Sequence, residues 1–225
     1  MGSPPTKGYG QGDPALAAWV ERLFAPTDAL LADVRRRARE AAMPAIHVGA
    51  MDGLHLEVIA RACGARKAVE IGTLAGLSGI CLLRGMGAGG HLHTFEREPR
   101  HAEVARASFE RAGVSGQVTI HVGAAMEGLR RVEDEGPFDL VFIDADKGGY
   151  PDYLAWAEEH LRVGGVVLGD NAFAFGHLHE PDHAEADAPA VEAMGRFLAR
   201  LAAGGRFRAT LLPTAEGLAM GVKVR

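Results

Sequence analysis

The spacing of apolar residues changes once along the chain, near residue 66. Before that point the spacing is helical. Asp13-Pro14 predicts an N-cap followed by proline at the first helical position, ahead of the segment LAAWVERLF. Two further helices are predicted at about 28–43 and 52–63, the last ending near Gly64.

After that point, short apolar segments rich in β-branched residues alternate with helical ones. The predicted strands are KAVEIG, HLHTFE, VTIHV, FDLVFIDA, GGVVLGD, FRATLLP and GLAMGVKV. Strands that are nearly all apolar indicate a parallel sheet covered on both faces. Only Thr214-Ala215-Glu216 joins the last two strands, which is too short for a parallel crossover and predicts an antiparallel hairpin.

These elements predict the α/β class: a Rossmann-like, doubly wound seven-stranded sheet with an antiparallel last strand, helices on both faces and extra N-terminal helices. With 225 residues, 48% hydrophobic and 24% charged, we expect a single domain over 13–225. Residues 1–12, rich in glycine, proline and polar residues, are expected to form a disordered arm. In such sheets ligands bind at the carboxyl ends of the strands, near the point where the strand order reverses.

Charge and composition exclude some partners. The net charge of -5 argues against a nucleic-acid surface, which needs a basic patch. The densest basic run, 35–37 with Arg39, lies beside Asp33 and Glu40 and is interpreted as a solvated helix face. No segment approaches the roughly 18 apolar residues of a membrane span. Two cysteines within apolar helical patterns fit a reducing compartment, so we expect a cytoplasmic protein without a membrane partner.

A glycine-containing turn follows the first strand of the alternating region. Gly72 and Gly76 allow the backbone to turn tightly and to approach a ligand. Glu96 ends the second strand, where an acid is placed to accept hydrogen bonds from both hydroxyls of a ribose. The pair indicates a site for a nucleoside-containing cofactor.

The residues around this turn favour one cofactor over another. A dinucleotide site needs G-x-G-x-x-G so that a pyrophosphate can rest on bare amides. Here the glycines are Gly72, Gly76 and Gly79, and the carboxylate of Glu70 precedes the turn. That carboxylate repels a pyrophosphate but suits the ammonium and sulfonium charges of S-adenosylmethionine. An NAD-linked oxidoreductase is therefore disfavoured, although it stays an alternative, as does a non-catalytic cofactor-binding subunit.

The fourth and fifth strands end in polar clusters. Asp144, Asp170 and Asn171 together offer three oxygen ligands, a hard set suited to Mg²⁺. Lys147 follows Asp144 closely enough for both to face one cavity. A nearby cation and partial burial would favour the uncharged amine, which can accept a proton. We therefore consider Lys147 a candidate general base.

The motifs EIGTLAGLS, FIDADKGGY and GGVVLGDN closely resemble the metal-dependent class of small-molecule O-methyltransferases. That class includes catechol O-methyltransferase, the caffeoyl-CoA O-methyltransferases and their bacterial relatives. The resemblance extends from about Ile46 to the C-terminus. It implies S-adenosylmethionine as the cofactor, Mg²⁺ or another divalent ion such as Mn²⁺ or Ca²⁺, and a homodimer. The implied reaction moves a methyl group to one hydroxyl of a vicinal diol on an aromatic ring.

The resemblance also assigns roles to individual positions. For the metal the implied ligands are Asp144, Asp170 and Asn171, and for catalysis the implied residue is Lys147. For the cofactor the implied residues are Ile46, Val48, Glu70, Gly72, Thr73, Ser78, Glu96, Ala125 and Asp144. Among them Glu70, Gly72 and Ser78 match residues that hold the methionine part, Glu96 the ribose and Ala125 the adenine.

The segment after the fifth strand departs from the plant caffeoyl-CoA enzymes. Where those enzymes carry DNTLWNG, this chain has DNAFAFG, and Phe175 removes a polar contact to the acceptor. Residues 177–187, rich in histidines and acids, are interpreted as a mobile loop over the acceptor pocket rather than a second metal site. No basic cluster is evident for a CoA phosphate. The sequence therefore favours a small phenolic acceptor.

Overall fold

The computed structural model describes residues 13–25, 27–176 and 188–225, without the side chain of Phe175. The helices there are α1 (Pro14–Phe24), α2 (Ala29–Glu40), α3 (Ala50–Ala62), α4 (Leu77–Met86), α5 (Pro99–Arg111), α6 (Ala125–Leu129), α7 (Tyr150–His160) and α8 (Ala188–Ala202). The strands are β1 (Lys67–Ile71), β2 (His91–Glu96), β3 (Val118–Val122), β4 (Phe138–Ile143), β5 (Leu161–Gly169), β6 (Phe207–Leu212) and β7 (Leu218–Lys223). The predicted arm at 1–12, the predicted loop at 177–187 and the predicted effect of the Phe175 side chain on acceptor contacts lie outside this description.

The strands form one seven-stranded sheet in the order β3-β2-β1-β4-β5-β7-β6. The five strands from β3 to β5 are parallel to their neighbours, whereas β7 is antiparallel to both β5 and β6. The predicted doubly wound sheet and terminal antiparallel hairpin are confirmed. Strand order reverses between β1 and β4, so the carboxyl ends of these two strands mark the expected ligand site.

The central parallel strands β1, β2 and β4 bury both of their faces. Along β4, Leu140 and Phe142 pack in one apolar layer with α2, α3, α4 and α5. Val141 and Ile143 pack in the opposite layer with α6, α7 and α8. Because successive side chains of a strand point to opposite faces, these runs can be apolar throughout without exposing any side chain to water.

Two aspartates begin the first two helices as predicted. The side chain of Asp13 accepts hydrogen bonds from the backbone N–H groups of Ala15 and Leu16, and Pro14 occupies the first turn of α1. Asp28 accepts from the N–H of Leu31 at 3.0 Å. Each carboxylate thus satisfies backbone donors that a helix start leaves without partners.

Helix α1 buries none of its residues. Trp19 is 54% exposed, Leu23 57% and Phe24 60%. No helix within the described segments combines the length and the apolar character needed to cross a membrane.

The fifth strand starts earlier than predicted. Gly164-Gly165 was expected to begin it, yet β5 starts at Leu161, which pairs with Phe138. The pairing with β4 shifts register between Phe138 and Leu140, and Gly164 adopts a φ of 80°. An irregularity of this kind interrupts the apolar pattern without ending the strand, which the sequence pattern alone does not reveal.

The basic run of α2 is only partly the solvated face that was predicted. Arg36 pairs with Asp33 and Glu40, and Arg37 pairs with Asp33. Arg35 departs from the prediction, because its guanidinium donates to the carbonyl oxygen of Val48 at 2.9 Å. Arg35 therefore ties α2 to the loop that precedes α3.

Histidines from β2 and β3 lie beside one another on the face covered by α6. His93 Nδ1 and His121 Nε2 are 3.1 Å apart, and His93 Nε2 lies 3.2 Å from a carboxylate oxygen of Glu135. Burial holds the pKa of His93 below its usual 6.5, His91 and His121 lower it further, and Glu135 opposes them. The fold therefore favours the neutral imidazole of His93.

We expect the His93→Gln variant to lose less stability than the wild type when the pH falls below about 6.5. The unfolded wild-type chain takes up a proton on His93 near 6.5, whereas the folded chain does so only at a lower pH. The contribution of neutral His93 to stability is therefore fully present above pH 6.5. It is lost as the pH falls from 6.5 to the folded-state pKa. Urea unfolding of both proteins between pH 5 and 8 measures this difference, and parallel stability curves would contradict it.

Candidate active site

Glu70 lies at the carboxyl end of β1 and is completely buried. Its Oε2 accepts a hydrogen bond from the Thr94 hydroxyl at 2.6 Å, while its Oε1 has no partner among the described residues. Burial raises the pKa of Glu70 to about 7, and Asp144 and Glu96 add to the rise, whereas the hydroxyls of Ser78 and Thr94 oppose it. A buried carboxylate oxygen without a partner is costly, so this one indicates a missing ligand with a hydrogen-bond donor.

Thr73 and Thr94 support this carboxylate. Their hydroxyl oxygens are 2.5 Å apart, and both residues are buried. Because the Thr94 hydroxyl donates to Glu70, the Thr73 hydroxyl is the donor to Thr94. The side chain of Thr73 is thus engaged within the protein, in a chain of hydrogen bonds that ends on Glu70.

Gly72 brings the ends of β1 and β4 into contact. Its φ is 104°, and a Cβ at this position would lie 2.0 Å from the carbonyl oxygen of Asp144. No other residue type fits such a contact, so the glycine is required by the close approach as well as by the positive φ. In this way the turn after β1 lies directly against Asp144.

Glu96 ends β2 and is 8% exposed. One of its carboxylate oxygens accepts from the N–H of Leu74 at 2.8 Å, and the other accepts from the N–H of Glu98 at 2.9 Å. The carboxylate is therefore fixed beside the turn that follows β1. Each oxygen has a second lone pair with which it can accept a further hydrogen bond.

The remaining predicted cofactor residues lie around this region in different environments. Ser78 is in the first turn of α4 and is buried near Glu70, whose pKa it helps to lower. Val48, whose carbonyl oxygen accepts from Arg35, is buried. Ile46, two residues before it, is 69% exposed. Ala125 begins α6 and is partly buried. The structure thus brings Glu70, Ser78 and Glu96 near one turn and leaves Ile46 open to solvent.

Asp144 and Asp170 follow the adjacent strands β4 and β5. Burial raises the pKa of Asp170 to about 7, and the negative charges of Asp144 and Asp52 raise it further, against Lys147 and a backbone hydrogen bond from Asn171. Burial likewise raises the pKa of Asp144, and Lys147 opposes this. Because the charge of Asp144 disfavours the charge of Asp170, a nearby cation would stabilise the charged forms of both carboxylates.

Asn171 completes the predicted ligand set with a backbone φ of 54°. Asparagine adopts this left-handed region more readily than most residues, yet such positions are uncommon and cluster at functional sites. Within the described residues no three His, Cys, Asp or Glu side chains are placed to hold a metal ion. The predicted set differs in kind, because it consists of two carboxylates and one amide.

Lys147 lies in a short 3₁₀ turn between β4 and α7, and its side chain is 15% exposed. Its amine lies 2.8 Å from the Tyr150 hydroxyl and 3.3 Å from Asp144 Oδ1. Asp146 holds the turn in place, since it accepts from the backbone N–H of Gly149 and from the Tyr153 hydroxyl. The predicted proximity of Lys147 and Asp144 is present.

The sequence interpretation missed some residues of the site. Thr94 pairs in register with Glu70, but β2 also contains His91, His93 and Glu96, so the polarity of Thr94 did not distinguish it in the sequence. Asp52, on α3, has a buried Oδ1 without a partner among the described residues and contributes to the raised pKa of Asp170. Its position in the first turn of a helix is equally typical of a residue that only stabilises the helix start, so the sequence did not distinguish it.

Comparison with known proteins agrees with this fold. The O-methyltransferase family model matches residues 22–224. A catechol O-methyltransferase of Niastella koreensis is 41% identical over 187 residues, which cover 82% of this chain and 83% of that protein. A catechol O-methyltransferase of Mycobacterium tuberculosis is 39% identical, over 81% of this chain and 90% of that protein.

A solved structure extends the comparison to three dimensions. The O-methyltransferase from Bacillus cereus in complex with SAH superposes with a TM-score of 0.86 at 36% identity, covering 93% of this chain and 97% of that one. Fold and site together define an α/β protein with a ligand site at the switch point of its sheet. The chain belongs to the O-methyltransferase family.

We expect Glu70→Gln to raise stability at neutral pH, because it removes a buried charge while the amide oxygen still accepts from Thr94. The unfolded chain ionises Glu70 near 4.5, whereas the fold retains the proton until about 7. Wild-type stability is therefore lost as the pH rises through this window, by an amount on the order of 3 kcal/mol. Thermal unfolding of both proteins from pH 4 to 8 should show a difference that grows with pH. A difference independent of pH would contradict the assignment.

Proposed function

We propose that the protein transfers a methyl group from S-adenosylmethionine to a hydroxyl of a small catechol-like phenolic acceptor, which is held with a divalent metal ion. The observation that carries the proposal is the set Asp144, Lys147 and Asp170 beside the unpaired oxygen of Glu70, at the switch point of the sheet. The names of the two bacterial relatives support a catechol acceptor. SAH, found in the Bacillus cereus structure, is what S-adenosylmethionine becomes after losing its methyl group.

The residues around Glu70 fit this cofactor. The unpaired Oε1 of Glu70 suits the ammonium of the methionine part, with Gly72, Thr73 and Ser78 forming the turn around it. Glu96 is fixed by two backbone N–H groups and has lone pairs left for the ribose hydroxyls. The remaining cofactor residues in this proposal are Ile46, Val48, Ala125 and Asp144.

The donor set fits a hard divalent cation. In this proposal Asp144, Asp170 and Asn171 hold Mg²⁺, or Mn²⁺ or Ca²⁺ in its place, because carboxylate and amide oxygens are the ligands these ions prefer. The raised pKa of Asp170 supports it, since the negative charge of Asp144 adds to the rise and a positive partner would offset both charges. A cation bound there supplies Lewis acidity, which stabilises negative charge on an acceptor oxygen.

Lys147 acts as the general base in the proposed reaction. The proton of the acceptor hydroxyl moves to its amine, and the acceptor oxygen attacks the sulfonium methyl group in line. The sulfur keeps the electron pair of the broken S–CH₃ bond. Burial of Glu70 and Asp170 limits water around the reacting groups, which strengthens the electrostatic interactions among them.

The proposal includes a homodimer, and the exposed apolar residues of α1 support it. Trp19, Leu23 and Phe24 are each more than half exposed, on a helix with no buried residue. Contiguous apolar surface of this kind often marks a contact with another chain. Light scattering measures the oligomeric state directly.

We expect Asp170→Ala to weaken Mg²⁺ binding and methyl transfer together, because the site loses one of two charged ligands. Calorimetric titration of Mg²⁺ and transfer of labelled methyl to a panel of catechols measure the two effects. Asp152→Ala, an exposed acid on α7, is the matched control and should behave as the wild type. Chelation of the wild type should reproduce the loss and added Mg²⁺ should reverse it, whereas full activity in excess chelator would exclude the metal.

We expect Lys147→Met to retain cofactor and metal binding while its turnover falls about 10²-fold or more. Raised pH should restore part of the rate, since hydroxide can then ionise the acceptor, and a more acidic nitrocatechol should lose less. Lys67→Met is the control, because Lys67 is exposed and lies at the amino end of β1, whereas the site lies at the carboxyl ends of the strands. Wild-type turnover of Lys147→Met on an unactivated catechol at neutral pH would remove Lys147 from the mechanism.

A further inference from the structure

Tyr150 is the first residue of α7, and its side chain is completely buried. Its hydroxyl contacts three polar atoms. It accepts a hydrogen bond from the Lys147 amine at 2.8 Å, and it lies 3.1 Å from the carbonyl oxygens of both Ile143 and Asp170, to which it donates. Those two carbonyls mark the carboxyl ends of β4 and β5, so one hydroxyl joins both strand ends to the lysine.

We propose that Tyr150 is a positioning residue that orients the lone pair of the Lys147 amine towards the acceptor. This inference rests on the proposed function, in which Lys147 is the base. A neutral amine has two hydrogens and one lone pair. When one hydrogen is donated to Tyr150 and the other to Asp144 Oδ1, the lone pair is left free for the acceptor hydroxyl. The N–H bond then forms from that lone pair as the acceptor O–H bond breaks.

The surroundings of the Tyr150 hydroxyl fix the direction of this bond. Its single hydrogen is taken by the two carbonyls, so it can only accept from Lys147. The ring is held by an edge contact with Phe197, at 5.3 Å between centroids, and the amine also lies 4.7 Å from the Tyr150 ring centre. A lysine side chain has four rotatable methylenes, so its amine becomes a precise base only when neighbours restrain it.

A purely structural tyrosine would explain the two carbonyl contacts but not the third. Tyr153 provides the matched comparison, because its hydroxyl donates to Asp146 in the same turn without touching the amine. If the hydroxyl of Tyr150 served only to support this turn, loss of either hydroxyl would affect catalysis alike.

The test is a double-mutant cycle of Tyr150→Phe and Lys147→Met, with Tyr153→Phe as the control. We expect Tyr150→Phe to lower kcat about 10-fold or more on an unactivated catechol with little change in KM, and to lower it less on a nitrocatechol. The double variant should be no slower than Lys147→Met alone, because a residue that acts through Lys147 has nothing left to orient. Tyr153→Phe should retain kcat on both acceptors.

Binding and folding are checked independently of turnover. Calorimetry with S-adenosylmethionine and thermal unfolding establish that Tyr150→Phe is folded and binds the cofactor at the assay temperature. If Tyr150→Phe does not fold because the two carbonyls lose their donor, 3-fluorotyrosine at position 150 is used instead. It keeps every contact and weakens the hydroxyl as an acceptor, so a smaller loss of kcat is expected.

The outcomes separate this inference from the proposed function. Losses that multiply in the double variant, an equal loss in Tyr153→Phe, or an unchanged kcat in Tyr150→Phe would each overturn the positioning role while leaving Lys147 as the base. Full turnover of Lys147→Met would overturn the proposed base and the positioning role together.

Discussion

Two buried carboxylates, Glu70 and Asp170, each lie within electrostatic reach of the partly buried Asp144 at the carboxyl ends of the strands. Their charged forms are unfavourable there, and the raised pKa of each reports that cost. Two apolar layers enclose the central parallel strands, one layer on each face of the sheet, and their burial offsets this cost. A cationic ligand would relieve this cost, as the proposed function requires.

The backbone at the carboxyl ends of β1 and β4 brings these carboxylates close together. Gly72 allows the turn after β1 to touch the carbonyl of Asp144, and the hydrogen bond from the Asp144 N–H to Ile71 keeps the two strand ends level. Because β1 and β4 flank the switch point, the helices that follow them diverge to opposite faces and leave a crevice between them. Fold topology thus fixes where the crevice lies, and the carboxylates determine what it favours.

Much of this was predictable from sequence, since the determining signals are local. The Asp13 cap, the apolar strands and the short link before β7 each depend on a few neighbouring residues, and all were confirmed. The start of β5 and the inward contact of Arg35 were not, because they depend on partners distant in the chain. The same reason explains the site. Acids at strand ends were evident, but the Thr94 contact and the direction of the Tyr150 hydroxyl exist only once strands are paired.

The position of β7, between β5 and β6, has a consequence for the order in which the chain assembles. The hairpin of β6 and β7 closes a short loop and can form early, whereas its docking onto β5 joins segments far apart in sequence. Until β7 docks, β5 is an edge strand with unpaired N–H and C=O groups, open to association with other chains. Asp170 follows directly after that strand, so the pairing that protects β5 also helps to fix the aspartate at its end.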